Sequence, residues 1–206
     1  MRIAAPPESP TRRAALATLA ALPLSLLLPF RARAGAQQYE VLSASVRASL
    51  AHAVAERVTI DWNDLDLRAW VRVMTARVLP HFKDEDSARN FLALVRYEAR
   101  RSGLDPHMVL SVIDVESKFR KYAVSKAGAR GYMQVMPFWV KEIGEAGHNL
   151  FSERMNLRYG CTILRHYLDR ESGNLTNALG RYNGSLGKPE YPGKVLAAYR
   201  ARWALG

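Results

Sequence analysis

Residues 114–137 are the stretch whose side-chain types and spacing could do chemistry: a carboxylate closes an apolar helical pattern, and Ser125, Gly128, Gly131 and Gln134 follow before a new helix is signalled. Upstream, Asp105 is a good N-cap and Pro106 suits the first helical position. Val109, Val112, Ile113 and Glu116 then recur at i, i+3, i+4 and i+7, the period of one helix face. Glu116 therefore continues the apolar stripe. A carboxylate there is partly desolvated and lies near the negative end of the helix dipole, and both effects favour its protonated form. That is the form a general acid needs. Asp114, two residues away, faces elsewhere and cannot partner Glu116 from the same helix. The bland alternative is a solvated Glu at a frayed helix end. Against it, Gly128 and Gly131 allow tight turns and close backbone approach to a ligand, and Gln134 offers both a donor and an acceptor.

The elements that must position this stretch read as helices throughout. A surface helix is expected over residues 39–57, and a second over 65–79, capped by Asp61 or Asn63 and ended by Pro80. Trp62 and Trp70 fit packing better than sugar stacking. After the charged break at residues 83–86, a helix over 87–102 carries Phe91, Leu94, Val95 and Glu98 at helical spacing and stops at Gly103. Downstream of residues 114–137 a short helix is predicted over 137–145. Ser152 then caps a long helix with Leu157, Gly160, Cys161, Leu164 and Leu168 on one face; Gly160 there would admit a neighbouring helix. Asn174 caps the next helix, where Leu175, Ala178, Leu179 and Tyr182 share a face, so the Tyr182 phenol can reach either the site or a backbone acceptor. Tyr191-Pro192 opens a last helix with Leu196, Tyr199 and Trp203 facing inward. No strand pattern persists. The fold class is mainly α.

Of the 206 residues, 30 are Lys or Arg and 19 are Asp or Glu, a formal charge of +11. Residues 1–36 carry five Arg and one Glu, so their removal leaves +7. Such a surface suits an anionic polymer, a cell wall bearing peptide carboxylates or a nucleic acid, and charge alone does not choose. The start of the chain reads as an export signal. Thr11-Arg12-Arg13 precedes an apolar run over residues 14–30, and small-x-small sites end at Ala34 and Ala36. Cleavage is expected after Ala36. The run is shorter than the ~20 residues of a membrane span, so no stable span is expected once it is removed; an uncleaved anchor is the alternative. Arg12-Arg13 resembles a twin-arginine signal, although Ala15 and Ala17 depart from its pattern. Cys161 is the one cysteine and can form no intramolecular disulfide. The five histidines have no metal-binding spacing, and neither a phosphate loop nor a Gly-x-Ser-x-Gly elbow occurs.

Glu116-Ser117, Ser125, Gly128, Gly131-Tyr132-Met133-Gln134, Met136-Pro137, Asn156 to Gly160 and Tyr182-Asn183 together resemble the soluble lytic transglycosylases of family 1, over about residues 90–203. The resemblance implies a lysozyme-like helical domain over residues 87–206, preceded by the signal at 1–36 and a helical extension at 37–86. It further implies a periplasmic enzyme that cuts the MurNAc-GlcNAc bond of peptidoglycan glycan strands and leaves 1,6-anhydromuramyl ends. Most glycosidases need two carboxylates; the resemblance supplies one, Glu116, as acid and base, with no metal or cofactor and no nucleic acid. It makes Ser125 and Gln134 substrate contacts, has Met133 and Met136 line the groove, has Tyr182 hydrogen-bond Glu116, and sets Asn183 beside it. The sequence departs from the family pattern at Tyr132 (usually Leu), at Arg120-Lys121 (commonly Asn-Pro), and at Arg181 and Gly184-Ser185 around Tyr182-Asn183. A muramidase-type hydrolase, a non-catalytic peptidoglycan-binding component of a secretion machine and a basic nucleic-acid binder are the other readings.

Overall fold

The computed structural model describes Met1 and residues 36–205, so the expected export signal lies outside the described residues except at its two ends. Among the described residues eight α-helices follow one another: α1 (Ala44–Ala55), α2 (Leu65–Val78), α3 (Glu85–Arg101), α4 (Pro106–Ser117), α5 (Phe138–Ile143), α6 (Glu153–Arg170), α7 (Leu175–Asn183) and α8 (Glu190–Ala198). A 3-10 turn, Leu79–His81, extends α2, and a π-turn, Tyr199–Trp203, extends α8. Between α4 and α5 the backbone makes two isolated antiparallel bridges, Val124 to Arg130 and Arg130 to Val135. The mainly-α class is as expected.

Short polar side chains set several of the starts by accepting from orphan amides of the first turn. Asp64 accepts from Asp66 and Leu67 at 2.8 and 3.1 Å, Asp105 from His107 at 2.9 Å, and Asn174 from Asn177 at 3.1 Å. Asp84 accepts from Ser87 at 2.7 Å, which starts α3 two residues before the expected position and puts Glu85 and Asp86 in the first turn, where the dipole favours them. Conversely, Ser43 delays α1 by capping it at Val46, and residues 36–43 stay extended or irregular.

One apolar cluster runs from Leu42 to Trp203. At its centre is α4, whose Val109, Leu110, Val112 and Ile113 are fully buried between α3, α8 and the π-turn. The lead-in helices share this cluster: α2 packs on α3, and α1 packs on α5 and α6. Arg158 of α6 fastens α1 at its C-terminus, donating to the carbonyls of Ala53 and Val54 at 3.2 Å each and to that of Glu56. Its Nε meets the buried Glu98 of α3 at 2.6 Å, and Arg101 meets the same carboxylate at 3.0 Å. Glu98, expected only as part of an apolar stripe, is thus the acceptor of a buried two-arginine pair. Such pairs favour one arrangement of elements more than they raise stability, because desolvation offsets the Coulomb gain.

Two expectations are corrected. Along α8 the buried positions are Tyr191, Pro192, Val195 and Ala198, whereas Leu196 and Tyr199 lie at the edge of the core. The π-turn then brings Trp203 back to the buried side, which an unbroken 3.6-residue period would not do. Gly160 does admit a close neighbour, but it is Met133 of the α4–α5 connection and not a helix: a Cβ at Gly160 would stand 2.3 Å from Met133 Sδ.

Candidate active site

Glu116 sits in the last turn of α4, and the chain leaves that turn under strain. Lys118 and Phe119 both adopt left-handed backbone, φ +54° and +58°, at a cost for non-glycine residues. Phe119 is held by burial against Phe91 and Trp203, and Arg120 Nε caps the Ser117 carbonyl at 3.0 Å. The connection therefore turns sharply away, and the end of α4 remains partly open at Glu116.

The Tyr191 hydroxyl of α8 donates to Glu116 Oε1 at 2.6 Å, and the Asn183 side chain at the end of α7 also reaches this carboxylate. Burial pushes the Glu116 carboxyl from its usual 4.5 up to about 7, against the opposing pull of the Tyr191 and Asn183 hydrogen bonds. Burial, and then the Glu116 charge, hold the Tyr191 phenol well above its ordinary value, so it stays a donor. Three elements thus converge on one carboxyl that gives up its proton only at about 7.

Asp114 shows the other outcome. Its Oδ2 accepts from Arg202 Nε at 2.7 Å and Trp203 Nε1 at 3.1 Å, and its Oδ1 from Lys118 Nζ at 2.9 Å. Burial alone would raise its carboxyl, yet the hydrogen bonds from Lys118, Trp203 and Arg202 hold it below the usual 3.8. Asp114 faces away from Glu116, as its spacing predicts, and is a fully engaged anion.

Tyr182 corrects the expectation that it hydrogen-bonds Glu116. Its fully buried phenol donates to the Met133 carbonyl at 2.8 Å, and Glu116 acts on it only through its charge. Met133 is fixed from both ends, since its amide donates to Asn156 Oδ1 at 2.7 Å. Its side chain is buried against Gly160. Asn156 Nδ2 also ties the carbonyls of Arg130 and Leu150 at 2.8 Å each, and Gly131, φ +75°, leaves no room for a Cβ beside it. Gln134 Nε2 donates to the carbonyls of Ala123 and Gly131 at 3.1 and 2.9 Å. Ser125 Oγ accepts from the amides of Ala127 and Ala129 at 3.3 and 3.1 Å. Ser125 and Gln134 thus brace the connection internally, while Met136 is half-buried at its end. Tyr132, where the family pattern has Leu, keeps its ring against Phe91 at 4.6 Å between centroids and sends its hydroxyl to Glu153.

Two residues of this site were not legible in the sequence. Tyr191 stands at a predicted helix start with no motif to mark it; its i, i+4, i+7 relation to Val195 and Ala198 is the signal that turns it inward. Gln37, buried at 4% exposure, accepts from the Met136 amide at 2.9 Å and donates to the Gln134 carbonyl at 3.2 Å. No local pattern marks it.

A helical scaffold thus surrounds one desolvated carboxyl, Glu116, with a second carboxylate, Asp114, locked away. The transglycosylase SLT domain family matches residues 93–197, half of the chain, and the chain belongs to that family. Among its relatives are the membrane-bound lytic murein transglycosylase C of Actinobacillus pleuropneumoniae, 43% identical over 34% of this chain and 18% of that protein. The protein of the same name from Yersinia pestis is 30% identical over 57% of this chain and 37% of its own length. The transglycosylase of Enterobacteria phage PRD1 is 35% identical over 45% of this chain and 37% of the phage protein. A solved structure of an inactive mutant of the lytic transglycosylase Slt from Pseudomonas aeruginosa is 25% identical, with TM-score 0.43, over 64% of this chain and 24% of that one. The chain thus spans about a third or less of the length of these relatives. No helix among the described residues is long and apolar enough to cross a membrane.

Proposed function

We propose that the chain is a peptidoglycan lytic transglycosylase of the cell envelope, acting in the periplasm with Glu116 as both acid and base. The observation that carries this reading is the pairing of Glu116 with Tyr191 at 2.6 Å in a setting that raises its carboxyl to about 7. The Glu116 proton passes to the glycosidic oxygen as the bond from MurNAc C1 breaks. The Glu116 carboxylate so formed takes the proton of the muramyl C6 hydroxyl, and that oxygen bonds to C1. The product is a 1,6-anhydro ring, the carboxyl is regenerated, and no water is consumed. A second carboxylate is unnecessary because the substrate supplies the nucleophile, which fits the commitment of Asp114 to Arg202, Trp203 and Lys118. Nor does this route need a metal or cofactor.

In this reading Asn183 and Tyr191 hold the Glu116 carboxyl. Ser125, Gln134 and Met136 contact the glycan, and Tyr182 and Met133 keep the connection in register beneath it. The names of the relatives support the activity, and the basic charge fits a wall bearing peptide carboxylates. The test is mass spectrometry of products from purified peptidoglycan. Anhydromuramyl ends, made by wild type and absent with Glu116→Gln, are expected. Reducing ends alone, about 18 mass units heavier, would keep Glu116 as the acid and replace the mechanism by hydrolysis.

A further inference from the structure

The connection between α4 and α5 presents one backbone edge that its own ladder does not use. Val135 pairs with Arg130 in both directions at 3.0 Å, so its amide and carbonyl point to the inner side. Across a planar trans peptide the C=O and N–H oppose each other, so the groups on the far side of the two peptides that flank Val135 point the opposite way. The Gln134 carbonyl and the Met136 amide therefore form an acceptor and a donor side by side, next to the Tyr182 phenol. Their partner is Gln37, through one carboxamide: Oε1 to Met136 at 2.9 Å and Nε2 to Gln134 at 3.2 Å. The same side chain also reaches the Tyr182 hydroxyl.

The segment that carries Gln37 is seated by more than this pair. The Ala36 carbonyl lies where a Cβ at Gly184 would be, 2.1 Å away, and Gln38 Nε2 reaches the Gly184 carbonyl at 3.5 Å. Glu40 pairs with Arg181 at 3.2 Å and with Arg170. Arg181 and Gly184 flank Tyr182-Asn183 and are two of the positions at which this sequence departs from its family pattern. The departures fall where the segment docks.

A carboxamide and an acetamido group offer the same chemistry here, a carbonyl oxygen and an N–H on one carbon. We propose that Gln37 is an internal ligand of the site: its carboxamide stands where the acetamido group of a 2-acetamido sugar pairs with Gln134 and Met136, so glycan and Gln37 compete. This rests on the transglycosylase reading, for which such sugars are the substrate. Occupancy by Gln37 weakens glycan binding, and removal of its carboxamide frees the edge.

The test uses the full chain with Gln37→Ala and Gln37→Leu, the latter keeping most of the volume but losing both the donor and the acceptor. Calorimetry with the tetramer of N-acetylglucosamine should show both variants binding about tenfold tighter than wild type, the effect of one or two ordinary hydrogen bonds. The de-N-acetylated tetramer should show no such gain. Exchange of the Met136 amide should quicken in Gln37→Ala and slow again when the acetylated tetramer is added. Equal or weaker binding by the variants, with wild type still cutting peptidoglycan, would overturn the proposal and leave the activity standing; Gln37 would then be a brace for the connection. Restored Met136 protection without cutting by any form would support the internal ligand and sink the catalytic reading.

Discussion

Asp114 and Glu116 are two carboxylates two residues apart on one helix, and their surroundings send them in opposite directions. Asp114 meets one lysine, one arginine and an indole N–H, and its carboxyl falls below the ordinary value despite burial. Glu116 meets a phenol and an amide, neither charged, and burial lifts it to about 7. Both are desolvated; what differs is whether full positive charge faces the carboxylate. A neutral donor orients an acid without stripping its proton, whereas a cation fixes it as an anion.

The largest effect that would break this contrast comes from Glu116→Gln. Loss of the transferable proton should lower turnover on peptidoglycan by about a thousandfold, within the usual range for a general acid, while glycan binding persists. Stability should move the other way. Because the folded state raises the Glu116 carboxyl, it holds a proton that the unfolded chain has released between about pH 4.5 and 7, so the contribution that favours folding in acid is lost across that window. Thermal melts should therefore show Glu116→Gln gaining on wild type as pH rises from 4 to 8, by a few degrees. An unchanged difference across that range would mean that Glu116 titrates like a free carboxylate.

Asp114→Asn attacks the other half. Charge-assisted hydrogen bonds are lost to partially exposed Arg202 and Lys118, so the expected cost is about 2 kcal/mol at pH 7, read by urea denaturation, with kcat nearly intact. The sign is the reverse of that for Glu116. A lowered carboxyl stabilises the fold above its unfolded value of about 3.8 and ceases to do so as pH falls through its folded value. The gap between Asp114→Asn and wild type should therefore close in acid. A large fall in kcat in a stable variant would instead give Asp114 a part in the chemistry.

Tyr191→Phe sharpens the contrast by removing only the neutral donor. The Tyr191 hydrogen bond lowers the Glu116 carboxyl, so the variant should hold its proton to higher pH. The alkaline fall in kcat/KM, expected near 7 in wild type, should shift upward while kcat drops about tenfold from lost orientation. An unmoved pH profile would reduce the 2.6 Å contact to packing.

Tyr182→Phe should do least. Its phenol serves the Met133 carbonyl, so the expected loss is about 1 kcal/mol of stability, with the pH profile unmoved. A shifted profile would return Tyr182 to the role that the family resemblance gives it.

How much of this was legible in the sequence depends on the range of the interaction. Local rules placed the starts of α4, α6 and α7, because caps such as Asp105 and Asn174 act on amides two or three positions away; α2 starts where expected, but its cap is Asp64 and not Asp61 or Asn63. The same locality put Glu116 on the apolar stripe and turned Asp114 from it. Spacing could not say which donor would meet Glu116, since Tyr182 and Tyr191 both face inward and the choice follows from how α7 and α8 cross α4. The π-turn after α8, which carries Arg202 and Trp203 onto Asp114, has no local mark either. Nor has the contact of Gln37 with Gln134 and Met136, nearly a hundred residues apart in sequence. The sequence by itself determined a helical chain with Glu116 on the apolar stripe at the end of one helix, because helix periodicity is a short-range property. Only the tertiary structure decided which groups surround each carboxylate and hence which one keeps its proton, because desolvation and charge pairing are set by residues that are distant along the chain and close in space.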